Sequence, residues 1–168
     1  MKYRLALALL AISATVAWAQ TSGKVILDGT ISEGEYKTVE VKNEFTIAAR
    51  LSEDKTTLYA AIKGPTTGWI ALGLGTLKMN GSFMTLGYVA DGKPSISFQQ
   101  GKGYTHAPAP APGAEAFVSE TDGVTTLELS LPTPSYLKDG ILQVIGASGT
   151  KDDFKTKHTK RVALELKL

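Results

Sequence analysis

Residues 69–74 read Trp-Ile-Ala-Leu-Gly-Leu, a run that is apolar at every position. Both alternating faces of a strand with this sequence would be apolar, as expected for a central strand or for one that faces a ligand. Turn signals bracket the run, with Gly64-Pro65 before it and Asn80-Gly81 after it. The stretch therefore predicts a buried strand in an all-β fold.

The neighbouring segments alternate apolar and polar residues with the period of two that is typical of β-strands. No segment has a sustained helical stripe, and turn dipeptides such as Asp91-Gly92 recur between the segments. The pattern predicts one domain with a sandwich or barrel of antiparallel strands. The predicted strands are residues 45–51, 57–63, 69–74, 83–90, 95–99, 125–131, 141–147 and 162–168.

The composition excludes several classes of site. Of the 168 residues, 43% are apolar and 20% are charged, as in ordinary globular domains. The absence of cysteine excludes disulfides, thiolate metal sites and covalent haem attachment, and two histidines are too few for a histidine-rich metal centre. Motifs of serine hydrolases, zinc proteases, nucleotide-binding loops and EF-hands are absent. The proline-rich segment 107–113 predicts an extended, exposed connection between strands.

The first residues have the pattern of a secretory signal peptide. Two basic residues precede an apolar segment, residues 5–16, that is too short to span a bilayer comfortably. Ala17-Trp18-Ala19 matches the small-x-small cleavage pattern. We therefore predict a signal peptide at residues 1–19 and a secreted or periplasmic mature domain at residues 20–168, with no membrane span. Without the leader, acidic and basic residues are equal in number, which gives no reason to expect nucleic-acid binding.

Met79, His158 and His106 are the candidate metal ligands. Met79 lies in a predicted loop, where a thioether is less easily explained by core packing, and thioethers are common axial ligands of electron-transfer haems. Met84 lies in a predicted strand, so core packing is its default role. His158 precedes the last strand in a charged turn, and His106 follows a glycine-rich stretch. Spacing alone does not choose between the two histidines, and a solvated loop histidine explains either.

The order of these motifs resembles that of the DOMON domain, an Ig-like β-sandwich that binds b-type haem or sugars. The resemblance covers residues 27–36 (LDGTISEGEY), 64–75 (GPTTGWIALGLG), 79–84 (MNGSFM) and 152–161 (DDFKTKHTKR). The second of these segments is the strongest match, because it is close to the GWxAxGhG strand of the family. The chain departs from the family pattern at two places: at Phe83, where some members have an acidic residue, and at Arg161-Val162, where the closing motif has Arg-Gly.

The resemblance implies a cytochrome domain with non-covalent haem b. In the cytochrome domain of cellobiose dehydrogenase, which belongs to this family, a methionine of the corresponding turn and a histidine before the last strand ligate the haem. Carried over, these positions are Met79 and His158, with His106 as the secondary candidate. The expected haem slot lies between the two sheets. The residues expected to line it are Trp69, Ile70, Leu72, Leu74, Phe83 and Leu86.

Methionine and histidine together would saturate the iron and favour its ferrous state. The resemblance therefore implies single-electron transfer with an unidentified redox partner protein, and no enzymatic activity. Two alternatives stay open. A carbohydrate- or small-ligand-binding module would have the same fold, and the opening segment is also similar to family 9 carbohydrate-binding modules. A haem carrier or sensor that releases its cofactor would use the same ligands with weaker retention.

Overall fold

The computed structural model describes residues 25–168, so the predicted signal peptide lies outside the described residues. This part of the chain contains eleven β-strands and no helix, and hence no helix that could cross a membrane. The strands are β1 (Thr38–Lys42), β2 (Phe45–Leu51), β3 (Thr57–Gly64), β4 (Ile70–Leu74), β5 (Phe83–Ala90), β6 (Lys93–Lys102), β7 (Thr105–Pro108), β8 (Glu115–Thr121), β9 (Val124–Pro132), β10 (Ile141–Ser148) and β11 (Lys160–Lys167).

The strands form two antiparallel sheets. The five-stranded sheet has the order β1-β2-β3-β9-β8, and the six-stranded sheet has the order β11-β10-β4-β5-β6-β7. Every predicted strand is present, and the predicted all-β sandwich is confirmed. The run that predicted a buried strand is β4, which lies inside the six-stranded sheet between β10 and β5.

Three strands were not predicted, and each lies at or near the edge of a sheet. β1 and β8 flank the five-stranded sheet, and β7 flanks the six-stranded sheet. β7 extends into the segment that was predicted to be an irregular connection, as far as Pro108. Proline has no N–H to donate, and an edge strand tolerates it because one side of the strand has no partner.

The core fills the space between the two sheets. Ile70, Leu72 and Leu74 of β4 are fully buried there, together with Phe45 and Ile47 of β2. Burial of each such side chain stabilises the fold by about 1.5–3 kcal/mol. Tight hairpins fix the strand register; in the β5–β6 hairpin, for example, Asp91 and Gly92 have φ of 50° and 72°. Both values are those of a type I′ turn, as the Asp-Gly dipeptide predicts.

A segment before β1 covers the outer face of the five-stranded sheet. Residues 25–36, here called the N-terminal strap, bury Val25 and Tyr36 against side chains of β2 and β3. Glu128 of β9 is fully buried beneath the strap. The strap therefore covers the outer face of the five-stranded sheet. The outer face of the six-stranded sheet is covered by residues outside the strap.

Candidate functional site

The outer face of the six-stranded sheet contains a second apolar cluster. Its buried members are Trp69, which directly precedes β4, Ala71 of β4, and Met84 and Leu86 of β5. Five half-buried side chains pack against them. These are Met79, Tyr88, Ile145, Ala147 and Phe154. We call the nine residues the outer-face cluster.

The strand register explains how the cluster is built. Ala71 pairs with Leu86 on one side and with Ala147 on the other, so these three form a row across the sheet. Gly73 pairs with Met84 and Ile145 in the next row, two residues further along β4. The row centred on Ala71 has short side chains at two of its three positions.

Met79 reaches the cluster from the β4–β5 turn, residues 75–82. Its carbonyl oxygen accepts a hydrogen bond from Ser82 N at 3.0 Å. Its backbone lies directly on Gly101 of β6, where a Cβ would overlap the Met79 carbonyl and approach its Cγ to 3.3 Å. Asn80 Oδ1 also accepts a hydrogen bond from Gly103 N at 2.8 Å. The turn is thereby fixed to the end of β6, and Met79 is held over the sheet.

The loop that contains His158 approaches from the other end of β4. This β10–β11 loop, residues 149–159, is joined to the start of β4 by two hydrogen bonds of Trp69, which donates its N–H to Lys151 O at 3.0 Å and accepts from Gly149 N at 2.9 Å. Phe154 of the loop packs on Tyr88 with ring centroids 4.8 Å apart. Within residues 25–168, no hydrogen bond or ion pair holds the half-buried imidazole of His158.

Asp153 gives the β10–β11 loop its local shape. Its carboxylate accepts hydrogen bonds from the Thr156 hydroxyl at 2.6 Å, from Thr156 N at 2.6 Å and from Lys155 N at 2.8 Å. These bonds, above all the one from the Thr156 hydroxyl, lower the pKa of Asp153 to about 2. The turn, residues 153–156, contains Phe154 and ends two residues before His158, so it helps to position both residues.

Trp69 contains an unpartnered buried donor. The side chain is only 6% exposed, and its indole lies on Gly149, where a Cβ would overlap the ring. The indole Nε1 has no hydrogen-bond acceptor among the described residues. Native proteins rarely leave a buried donor unpaired, because doing so costs about 1–3 kcal/mol. The indole N–H is therefore an unsatisfied polar group packed against the start of the β10–β11 loop.

His106 lies on β7, on the same face and near Met79. It pairs with Gly101, the residue on which Met79 rests. Its Nδ1 forms a hydrogen bond with Oε1 of Gln99, a residue that is only 4% exposed. Gln99 in turn is the partner of Met84 across the β5–β6 ladder. Met79 and His106 are therefore at one end of the face, and the loop of His158 is at the other.

The six residues expected to line a haem slot lie on both faces of the sheet. Trp69 and Leu86 belong to the outer-face cluster. Ile70, Leu72 and Leu74 are fully buried in the inter-sheet core, and Phe83 packs against that core. Successive residues of a strand point to opposite faces, so β4 cannot direct all of its apolar side chains to one slot. The expectation of a slot between the two sheets is corrected accordingly, because core side chains fill that space.

The outer-face cluster includes residues that sequence reasoning did not assign to a site. Met84 was explained as core, and Phe154 and Gln99 were not considered. Met84, Leu86 and Tyr88 alternate along β5, a signal that they share one face. The pairing of Gln99 with His106 has no such signal, because it depends on the β6–β7 register. Residues 25–168 contain no group of three or more histidine, cysteine or carboxylate side chains placed to hold a metal ion.

Comparisons with known proteins find similar structures but no similar sequences. No family model matches the chain, and neither does any curated protein. The cytochrome b domain of pyranose dehydrogenase from Coprinopsis cinerea superposes with a TM-score of 0.58 at 15% identity, over 77% of this chain and 80% of that one. The cytochrome domain of Myriococcum thermophilum cellobiose dehydrogenase gives a TM-score of 0.58 at 16% identity, over 74% of each chain. The chain thus has the fold of these cytochrome domains.

Proposed function

We propose that the protein is an exported haem-binding domain that transfers single electrons, with Met79 and His158 as the axial ligands of a non-covalent haem b. One observation carries the proposal. Met79 and the loop of His158 reach the outer-face cluster from opposite ends of β4. Met79 and the β10–β11 loop approach the cluster from two different sides, which supports Met79 and His158 as the pair that would hold the haem iron.

The same geometry favours His158 over His106. His106 pairs with Gly101, and Met79 rests on Gly101, so both residues are on one side of the outer-face cluster. Two groups on the same side cannot occupy opposite faces of a porphyrin. The Nδ1 of His106 is also engaged by Gln99, whereas the imidazole of His158 has no partner among the described residues.

The residues between the two loops fit a flat apolar group. Ala71 and Ala147 provide little depth of side chain, and Leu86 continues the same row. Ile70, Leu72 and Leu74 would support the floor from the core side rather than contact the ligand.

Haem iron ligated by methionine and histidine accepts and releases one electron without an open position for oxygen or substrate. Met79 and His158 would hold the iron in this state, and the outer-face cluster would exclude water from it. The chain would therefore act as an electron carrier rather than an enzyme. An unidentified redox partner protein is the expected electron donor or acceptor, and the similar fold of the two cytochrome domains supports an electron-transfer role.

The test is hemin titration of the purified protein and three variants. The wild type and His106→Ala are expected to give a sharp Soret band, with resolved α and β bands after reduction. Met79→Leu and His158→Ala should lose the low-spin spectrum and bind hemin at least about tenfold more weakly. His106→Ala is the matched control, because it removes an imidazole from the same face of the sheet.

The carbohydrate-binding alternative has less support. A sugar site usually presents several exposed aromatic faces, whereas Trp69 is buried and Tyr104, at 98% exposure, is a single exposed ring on the β6–β7 hairpin. Failure of the wild type to retain hemin, together with binding to a glycan panel, would favour this alternative. Rapid transfer of retained haem to apomyoglobin would instead favour a haem carrier.

A further inference from the structure

The charged residues of the chain are distributed unevenly around the outer-face cluster. Three segments border the cluster: the β4–β5 turn (residues 75–82), the end of the β6–β7 hairpin (residues 101–106), and residues 149–161, which comprise the β10–β11 loop and the start of β11. Residues 25–168 contain 15 basic and 16 acidic residues, and these segments hold seven of the basic and two of the acidic ones. The rest of the described chain therefore holds eight basic and fourteen acidic residues. The cluster has a basic border on a protein whose other segments carry an excess of acidic residues.

Four of these cations are exposed and unpaired at the β10–β11 end of the cluster. Among residues 25–168, the one ion pair joins Lys160 to Glu44 at 2.8 Å, so it leaves the others without an acidic partner. The carboxylate of Asp153 is occupied by three hydrogen bonds from its own turn, and Asp152 is the only fully exposed acidic side chain among residues 149–161. We call the four exposed cations the basic rim. They are Lys151, Lys155, Lys157 and Arg161.

The strand register places the basic rim beside the cluster. Arg161 of β11 pairs with Ala147, which pairs with Ala71 in the row of short side chains. Paired residues of an antiparallel ladder share a face, so Arg161 lies on the outer face of the six-stranded sheet. Lys155 belongs to the same turn as Phe154, whose side chain packs against the cluster. The basic rim therefore borders the cluster along β11 and along the β10–β11 loop.

We infer that the basic rim is the docking surface for an acidic redox protein. The inference rests on the proposed function and adds the chemistry of the partner. Exposed charges of one sign around a site attract a surface of the opposite sign and speed the encounter of two proteins. Protein interfaces commonly have an apolar centre and a polar rim, and the outer-face cluster with its four cations has this arrangement.

The charge balance favours a protein partner over nucleic acid or a membrane. The predicted mature domain, residues 20–168, has 16 basic and 16 acidic residues and hence no net positive charge. Nucleic-acid-binding domains usually carry an excess of basic residues, and anionic membranes attract dense clusters of them. An extended polyanion or a bilayer would also meet acidic residues outside the three segments, which repel it. The acidic patch of a small protein needs to meet only the basic rim.

The test uses a plant-type ferredoxin, a small acidic redox protein, as the probe. It is added to the haem-free, nitrogen-15-labelled mature domain, and binding is followed by the amide chemical shifts. The shifts should change mainly at residues 149–161. The dissociation constant should rise at least about tenfold when salt is raised from about 20 mM to about 200 mM, because salt screens the attraction between exposed charges.

Two double variants with the same total charge show whether the position of the cations matters. Lys155→Glu with Lys157→Glu reverses two charges of the basic rim, and we expect it to weaken ferredoxin binding at least about tenfold. Lys37→Glu with Lys63→Glu is the matched control, because both lysines are exposed and lie outside the three segments. It should weaken binding clearly less than the rim variant does. Both variants change only exposed side chains, so they should remain folded, which far-ultraviolet circular dichroism would verify.

The inference is overturned if ferredoxin changes no shifts at low salt, if the changes lie on the five-stranded sheet, or if the two variants lose binding equally. Tighter binding to phosphatidylserine vesicles than to ferredoxin, lost in the rim variant, would overturn it in favour of a membrane surface. Hemin titration of the same samples separates this inference from the proposed function. Ferredoxin binding at the basic rim by a domain that retains no hemin would support the docking surface and contradict the haem assignment. Hemin retention without ferredoxin binding would do the reverse.

Discussion

The two outer faces of the sandwich each carry an apolar cluster, but they differ in how their buried polar groups are satisfied. On the five-stranded sheet, Glu128 is completely buried, and its carboxylate accepts hydrogen bonds from Asp28 N at 2.9 Å, from Gly29 N at 2.6 Å and from the Tyr36 hydroxyl at 2.7 Å. On the six-stranded sheet, the indole N–H of Trp69 has no partner among the described residues.

The coverings of the two faces differ in the same way. The N-terminal strap is fixed along its length, because Glu35 accepts hydrogen bonds from Ile26 N and Ser32 N and its carbonyl accepts one from Arg50. The outer-face cluster is instead covered by single side chains, Met79 and Phe154, from two separate loops. A face closed by its own chain serves stability, whereas the outer face of the six-stranded sheet retains a buried donor without a partner among the described residues.

The largest expected effect on this contrast comes from Glu128→Ala. The change leaves three donors of the strap without their acceptor and should lower the free energy of unfolding by about 3 kcal/mol. Urea denaturation would measure it. Hemin binding should remain as in the wild type, because Glu128 lies on the opposite sheet. A loss of hemin affinity as large as that of His158→Ala would show that the two faces are not independent.

The next largest effect is expected from Gly101→Ala, which changes the outer face of the six-stranded sheet. The new methyl group would overlap the backbone of Met79, so the β4–β5 turn must shift, and the free energy of unfolding should fall by about 2 kcal/mol. Hemin should bind more weakly, as titration would measure. Gly103→Asn is the matched control, because no atom lies within 4 Å of its Cβ position and asparagine tolerates the positive φ of 62°. Equal binding by Gly101→Ala and the wild type would contradict the placement of Met79.

Tyr36→Phe sharpens the contrast with a smaller change. It removes one hydrogen bond to the buried carboxylate of Glu128, and we expect a loss of about 1.5 kcal/mol in the free energy of unfolding. A double-mutant cycle with Glu128→Gln would isolate the energy of this pair. Additive effects of the two changes would show that the hydroxyl and the carboxylate do not interact in solution.

The smallest expected effect is a pH dependence of the free energy of unfolding that arises from Glu128, which is buried beneath the N-terminal strap. Burial raises the pKa of Glu128, although the hydrogen bonds that it accepts act in the opposite direction. A carboxyl group with a raised pKa binds its proton more tightly in the folded state. Its contribution to stability is therefore fully present below the ordinary glutamate pKa and is lost as the pH rises through the raised value. The difference in urea midpoint between the wild type and Glu128→Gln, measured across this range, should follow that course; a constant difference would contradict it.

The alternation of apolar residues was sufficient to predict most strands, but not the three at or near the sheet edges. β1 alternates polar and apolar residues in the sequence Thr-Val-Glu-Val-Lys, but its apolar residue Val41 is 74% exposed. Alternation in this strand therefore does not indicate a buried face. β7 contains a proline and follows a glycine-rich stretch, both of which indicate a loop. An edge strand forms because its backbone pairs with one neighbouring strand, and its own residues need not show a pattern of burial.

The candidate site was predicted only in part. Met79 and His158 were identified from the resemblance of their motifs, and their roles remain predictions. The division of β4 between two faces follows from strand geometry, but an all-apolar run does not indicate which face meets a ligand. The contact of Met79 with Gly101 and the pairing of His106 with Gln99 depend on the registers of β5, β6 and β7. Turn geometry helps to set these registers, but the alternation within one strand does not indicate which side chains of three neighbouring strands will meet.

The absorption spectrum of the purified protein after exposure to hemin and removal of the excess tests the haem assignment most directly. We expect a retained Soret band, resolved α and β bands after dithionite reduction, and a ferric sulfur-to-iron charge-transfer band that disappears in Met79→Leu. Those features together would mean a six-coordinate low-spin haem with methionine on one side. Absence of a retained Soret band, with the chain still folded by circular dichroism, would contradict the assignment of the outer-face cluster as a haem site.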